Sequence, residues 1–243
     1  MIFDVNKVFS RIPAILGYLP VTMELVVVST IFSLIFGFLI AVIKIRRIPA
    51  LRHLAAFYVS FSRGTPAIVQ LYLFFYGIPL IFTLINRQYG MNLPTAAPSM
   101  LTAMIAFTFS EASYSSETIR AALGSVDKGQ MEAALSIGMT QKQAYIRIIL
   151  PEALVFALPP FGNAFIGQIK NTSLAFTCAV VEMTAGAKLL ASHDYRFFES
   201  YVSLAIIYWI LIIITSRLLI MAEKRLKCDE RAPTHDFTDK RPA

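Results

Sequence analysis

The side chains with most chemistry to offer in this sequence lie inside long apolar runs, where such groups are costly. Glu111 and Ser115 stand four residues apart in a run that begins near residue 99, so they share one helix face. Gln70 falls in the first turns of an earlier run. Asn163 and Gln168 follow the Pro159-Pro160 pair of a later one, which Lys170, Asn171 and Thr172 close. A carboxylate or amide in a membrane faces protein or a water-filled cavity rather than lipid. These groups offer hydrogen-bond donors and acceptors that suit a polar solute. Two readings fit the same residue types. One is a polar translocation path from Gln70, Glu111, Ser115, Asn163 and Gln168, closed on the outside by residues 170–174. The other is hydrogen bonding between packed helices. Glu24 fits an outer-surface position or an external gate, Arg63 an interfacial turn, and Glu117 an ion pair with Arg120.

Covalent chemistry has no support. There is no G-x-x-x-x-G-K-[ST] phosphate loop, no H-E-x-x-H and no G-x-S-x-G. His53, His193 and His235 are far apart. No catalytic, metal-binding or cofactor-binding residue is expected. Energy for transport must come from an ion gradient or from another polypeptide that handles ATP.

The elements that position these groups follow from composition. The chain has 243 residues, 56% hydrophobic and 15% charged, with a mean hydropathy of +0.63. Soluble domains average about 25% charged, so an ordinary soluble enzyme is excluded. At roughly 20 residues per span, the length holds five or six spans. Apolar runs place five, at 21–43, 66–85, from about 99, 150–169 and 201–222. Residues 54–62 read as an interfacial segment, with Thr65 as N-cap and Pro66 at the first helical position. Residues 86–98 form a polar loop. Residues 174–181 are too short to cross and read as a re-entrant or surface helix. Residues 1–222 form one membrane domain and 223–243 a polar tail. Cys178 and Cys228 are too sparse for a disulfide framework or a metal site.

The net charge is +7, and these bases flank spans rather than forming a nucleic-acid surface. With the N-terminus outside and five spans, fifteen bases fall inside and five outside, with Arg63 and Lys170 at span edges. This asymmetry supports an outside N-terminus and a cytoplasmic C-terminus. It also puts the hydrophilic loop 120–149 in the cytoplasm.

That loop has its own pattern. Asp127 and Gly129 lead into a helical run through Glu132, Ala133 and Ala134, which Gly138 ends. Thr140 and Gln143 then form a capping-box sequence. The result is two short helices meeting at Gly138, a glycine suited to positive φ. Such a corner fits a groove in another protein, and a plain amphipathic helix on the inner leaflet fits the same spacing.

Here the residues resemble a family. Glu132-Ala133-Ala134, three residues, Gly138, nine residues and Ile148-x-Leu150-Pro151 match the EAA loop of ABC-importer permeases. Ser62-Arg63-Gly64-Thr65-Pro66, Glu117-Thr118-Ile119-Arg120 and Leu158-Pro159-Pro160-Phe161-Gly162-Asn163 resemble signatures of the polar amino acid branch, with a leaning to cystine permeases. Ala112-Ser113 and Lys170-Asn171 depart from the branch pattern. The resemblance implies an all-α, five-helix permease of the type I importer kind in the cell membrane. It implies that Asp127, Gly129, Glu132, Ala133, Ala134 and Gly138 couple to a cytoplasmic ABC ATPase dimer. A second permease subunit and an extracytoplasmic solute-binding protein are implied as further partners. A gradient-driven carrier or channel, and a membrane scaffold, are the alternatives.

Overall fold

The computed structural model describes residues 3–230, and side chains as far as 225. Every element within them is helical. Helix α1 (Val5–Leu16) begins at Asp4, whose side chain accepts from the backbone N–H of Asn6 and Lys7. Its Ile12 and Ile15 pack on Met183, Leu204 and Ile207. Arg11, nearly buried on the same helix, donates to the Arg196 carbonyl at 2.7 Å, to both Asp194 oxygens at 2.5 and 2.6 Å, and to the Ser200 hydroxyl. The Arg11 hydrogen bonds hold the Asp194 carboxyl below its ordinary value. No helix was expected before residue 21, so α1 is an addition to the sequence reading.

Helix α2 (Leu19–Ile45) and helix α5 (Ser99–Ser125) are each 27 residues long and form the central pair. Ser29, Ser33, Gly37 and Ala41 recur every four residues on the buried side of α2. Small side chains let two membrane helices approach closely. A Cβ on Gly37 would lie 2.7 Å from the Ser115 Cβ and 3.1 Å from the Ala112 carbonyl oxygen.

Helix α3 (Leu51–Gly64) and helix α4 (Ala67–Tyr89) are separated by one short break. Thr65 is extended, as a residue before proline tends to be, and Pro66 is the N-cap. This corrects the expected assignment by one position, because the Pro66 ψ of 143° lies outside the helical range. The interfacial placement of 54–62 is corrected too. The Tyr58 hydroxyl donates to the Phe109 carbonyl at 2.6 Å, and Ser62 reaches the Phe109 and Ser110 carbonyls at 3.5 and 3.4 Å. Phe109 is ten residues into α5, about 15 Å along it. The break therefore lies beside the middle of α5 rather than at an end of the bundle.

After α5, the loop forms helix α6 (Lys128–Ser136) and helix α7 (Gln141–Ala144). A π-helical turn, Tyr145–Ile149, runs straight into helix α8 (Leu150–Asn171). Pro151 explains the wide turn. It has no N–H, and its ring would crowd the carbonyl four residues back in an α-helix.

Residues 172–178 continue α8 as a 3₁₀ helix, with Ala175 and Cys178 fully buried among Leu25, Leu71, Ala103 and Phe107. The expected re-entrant or surface helix is thus an inward-packed continuation of α8. Helix α9 (Met183–Asp194), also not anticipated, is capped by the buried Glu182, which accepts from Thr184 and Ala185 N–H at 2.9 and 3.0 Å. Helix α10 (Phe197–Glu230) completes the described chain. The expected polar tail over 223–243 is helical as far as 230, and the rest of it lies outside the described residues.

Four helical stretches are long and apolar enough to cross a membrane: Leu19–Ile45, Ala67–Tyr89, Gln141–Cys178 and Phe197–Arg225. Helix α5 has the length but not the apolarity.

Candidate functional site: a cytoplasmic corner and a polar cavity

The loop between α5 and α8 folds from local rules. The Asp127 carboxylate accepts the Gly129 N–H at 2.6 Å and starts α6. Glycine suits position 129 because a Cβ there would stand 2.8 Å from that carboxylate oxygen. Gly138 ends the run with φ +85°, while its N–H donates to Leu135 and that of Met139 to Ala134. Thr140 and Gln143 make the full capping box, at 3.3 and 2.9 Å. Ala134 is buried against the following turn, whereas Glu132, Ala133, Ile137 and Gly138 are exposed. The corner therefore offers a small charged and apolar surface, and from Gln141 onward unbroken helix runs into α8.

The intramembrane polar residues divide into two groups. Gln70, Ser115, Gln168 and Thr172 are buried and serve seams between elements. Gln70 splints the α3–α4 break, its Nε2 donating to the Ser62 carbonyl at 2.6 Å, the Thr65 carbonyl at 3.0 Å and the Thr65 hydroxyl at 2.8 Å. Its Oε1 is buried with no partner among the described residues. Ser115 sits against Gly37. Gln168 donates to the Ser29 hydroxyl at 3.1 Å and ties α8 to α2. Thr172 bonds back to the Ile169 carbonyl. The second group is accessible. Glu111 is half-buried, and Asn163 and Lys170 are exposed. Asn163 and Lys170, seven residues apart, share one face of α8. Gly167 lies between them with nothing within 4 Å of a would-be Cβ. Gln70 and Gln168 thus make hydrogen bonds between helices, and the second group leaves polar surface that this chain does not cover.

A cavity of about 450 Å³ adds a residue that the sequence reading placed at an interface. Arg63, at the α3 end, lines it with Tyr114, Glu117, Thr118, Ser125 and Phe156. The Arg63 guanidinium stands 5.4 Å from the Tyr114 ring centre, a cation–π distance. None of the ion pairs among the described residues involves Arg63. Glu117, by contrast, is fully engaged. It accepts from Lys44 of α2 and from Arg120 at 2.7 and 3.0 Å. The Arg120 pairing was expected; the Lys44 contact was not, because it joins residues 73 apart. The cavity can bind an anion at Arg63, with hydroxyls of Thr118 and Ser125 nearby.

Comparison with known proteins points one way. Residues 33–227 match the family described as binding-protein-dependent transport system inner membrane component. The probable amino-acid permease protein YxeN of Bacillus subtilis (strain 168) is 42% identical over 92% of this chain and 96% of its own. The L-cystine transport system permease protein TcyL of the same organism is 40% identical over 93% and 92%. Among solved structures, an amino acid ABC transporter crystallised with histidines superposes with a TM-score of 0.78 at 32% identity, over 93% of this chain and all of that one. The MetNI methionine ABC transporter, at 16% identity and a TM-score of 0.67, shares the fold.

Proposed function

The chain belongs to the family of binding-protein-dependent transport system inner membrane components, a multi-pass ABC-transporter permease of the inner membrane, and we propose that it carries a polar amino acid inward by alternating access. A separate ATPase docks on the corner from Asp127 to Gly138 and supplies the energy. The observation that carries this reading is mechanical. Most of the corner is exposed, its ends are fixed by caps, and it turns at Gly138 into α7, which is continuous through the π turn with α8. A gradient-driven carrier has no use for such a lever.

Helix α5 is the fifth span, too polar for lipid because α2, α3, α4 and α8 pack around it. The distribution of positive charge supports an outside N-terminus and a cytoplasmic C-terminus. The substrate carboxylate meets Arg63, which is at the end of a half-helix, a place where membrane transporters bind polar ligands. Glu111, without an ion-pair partner among the described residues, receives the ammonium. The exposed Asn163–Lys170 face of α8 is completed by a second permease subunit, and an extracytoplasmic binding protein delivers substrate. Cystine fits this class, and TcyL supports it.

The test is uptake into proteoliposomes, with and without the cognate ATPase. ATP-dependent uptake of a polar amino acid that needs the ATPase and falls at least tenfold in Arg63→Gln is expected. Uptake by the permease alone, indifferent to ATP, refutes the proposal.

A further inference from the structure

Arg63 and Glu117 line the same cavity of about 450 Å³. The Arg63 guanidinium stands over the Tyr114 ring, and Tyr114 comes one turn before Glu117 on the same face of α5. Opposite charges that share a small, poorly solvated space attract one another strongly. None of the ion pairs among the described residues nevertheless joins the two.

The Glu117 carboxylate is occupied elsewhere. Lys44 of α2 donates to its Oε1, and Arg120 donates to its Oε2 at 2.7 and 3.0 Å. The two cations are not equal. Arg120 lies three residues on in the same helix with its side chain 50% exposed, and such pairs are weak and screened. Lys44 reaches across from another helix with its side chain 22% exposed, against 17% for Glu117. The small-residue seam of α2 fixes its place. Ser33, Gly37 and Ala41 are buried at intervals of four residues. Lys44 follows Gly37 by two turns and so ends the same face.

We propose that Lys44 is a positioning residue, which holds the Glu117 carboxylate off Arg63 and so keeps that guanidinium free for a substrate carboxylate. Without Lys44, Oε1 of Glu117 loses its partner and turns to Arg63, the cation on its own cavity. A tethered carboxylate then competes with the substrate's. The part played by substrate rests on the binding role given to Arg63 above; the hold on Glu117 does not.

Phenylglyoxal modifies a free guanidinium faster than an ion-paired one, and mass spectrometry of the digested full-length permease reads each arginine separately. Arg63 and Arg147 are both exposed, and Arg147 serves as the internal reference. Lys44→Met should slow modification of Arg63 on the order of tenfold. Lys44→Arg should react like the native protein, and adding Glu117→Gln to Lys44→Met should restore the native rate. Apparent affinity scales with the fraction of competent site. In proteoliposomes with the cognate ATPase, Lys44→Met should therefore raise the KM for labelled L-cystine by the same factor with kcat little changed. Unchanged Arg63 reactivity in Lys44→Met overturns the proposal. So does a slowing that Glu117→Gln fails to reverse, which assigns Lys44 to the packing of α2 on α5. If the reactivities behave as expected while Arg63→Gln transports normally, the hold of Lys44 on Glu117 stands and the substrate role of Arg63 falls.

Discussion

Replacing Gly138 tests whether the cytoplasmic corner works through its backbone. Its φ of +85° is open to glycine and unfavourable for residues with a Cβ. Nothing lies within 4 Å of a Cβ built there, so the size of a new side chain costs nothing within this chain. What remains is the conformational cost, roughly 1–2 kcal/mol for an ordinary L-residue and less for asparagine. At 1.4 kcal/mol per decade, that is about five- to thirtyfold in the population of the bent corner. Gly138→Asn should thus couple nearly as well as wild type, Gly138→Ala about tenfold worse, and Gly138→Val worse still because branching at Cβ narrows the choice further. The assay is ATP-dependent uptake with the cognate ATPase limiting, together with titration of ATPase binding to the solubilised permease. Thermal unfolding should shift by no more than this conformational cost, since Gly138 is exposed and a Cβ there meets nothing within 4 Å. Side-chain volume gives a different order, with asparagine worse than alanine. If Gly138→Asn couples less well than Gly138→Ala, the backbone argument is wrong and the position contacts the ATPase directly.

Three further outcomes follow from the same structure. Gly37→Ala forces a methyl to 2.7 Å from Ser115 and 3.1 Å from backbone atoms of α5, so it should destabilise by about 1–3 kcal/mol, read as a lower melting temperature in detergent. Gly167→Ala, with open space around it, should be neutral or slightly stabilising. The third concerns pH. Arg11 holds the Asp194 carboxyl below its ordinary value, so its contribution is present above the unfolded value of about 3.9 and is lost as pH falls through the lower folded one. A spin label at Phe9→Cys should stay immobile from neutral pH to about 4 and loosen only below that. In Asp194→Asn it should be mobile throughout, and equal mobility in both proteins at neutral pH would show that the pair does not anchor α1.

The parts of this protein visible in its sequence are those built by short-range rules. Asp127, Gly129, Gly138, Thr140 and Gln143 each act within three residues, and the corner appears as expected. The break after Gly64 was equally plain, but its depth was not. Period and caps within a segment carry no information about which part of α5 it lies against. One local sign was available: Gln70, a polar residue one turn past Pro66, is placed to satisfy the carbonyls a proline break frees. Helices α1 and α9 escaped notice because each is only 12 residues long and half apolar, although Asp4 and Glu182 mark their starts. The burial of Cys178 and Ala175 depends on which helices surround them, a long-range fact.

Helix α5 shows why apolarity alone miscounts this architecture. Hydropathy measures the cost of facing lipid, and a helix enclosed by others does not face it. Thr102, Ser113, Ser115 and Ser116 are buried on α5, yet Ser113 and Ser116 bond to their own helix's carbonyls and leave no donor stranded. Their small volume is what brings the α2 backbone close enough for Gly37 to be required. The same reasoning works in reverse on α8. Asn163 and Lys170 are polar, lie toward one face and have nothing of this chain over them. In a bilayer an uncovered polar face is unfavourable, so a polypeptide or water must cover it. A single chain that buries its polar seam on α5 and exposes another on α8 has a layout that the proposed second permease subunit would complete.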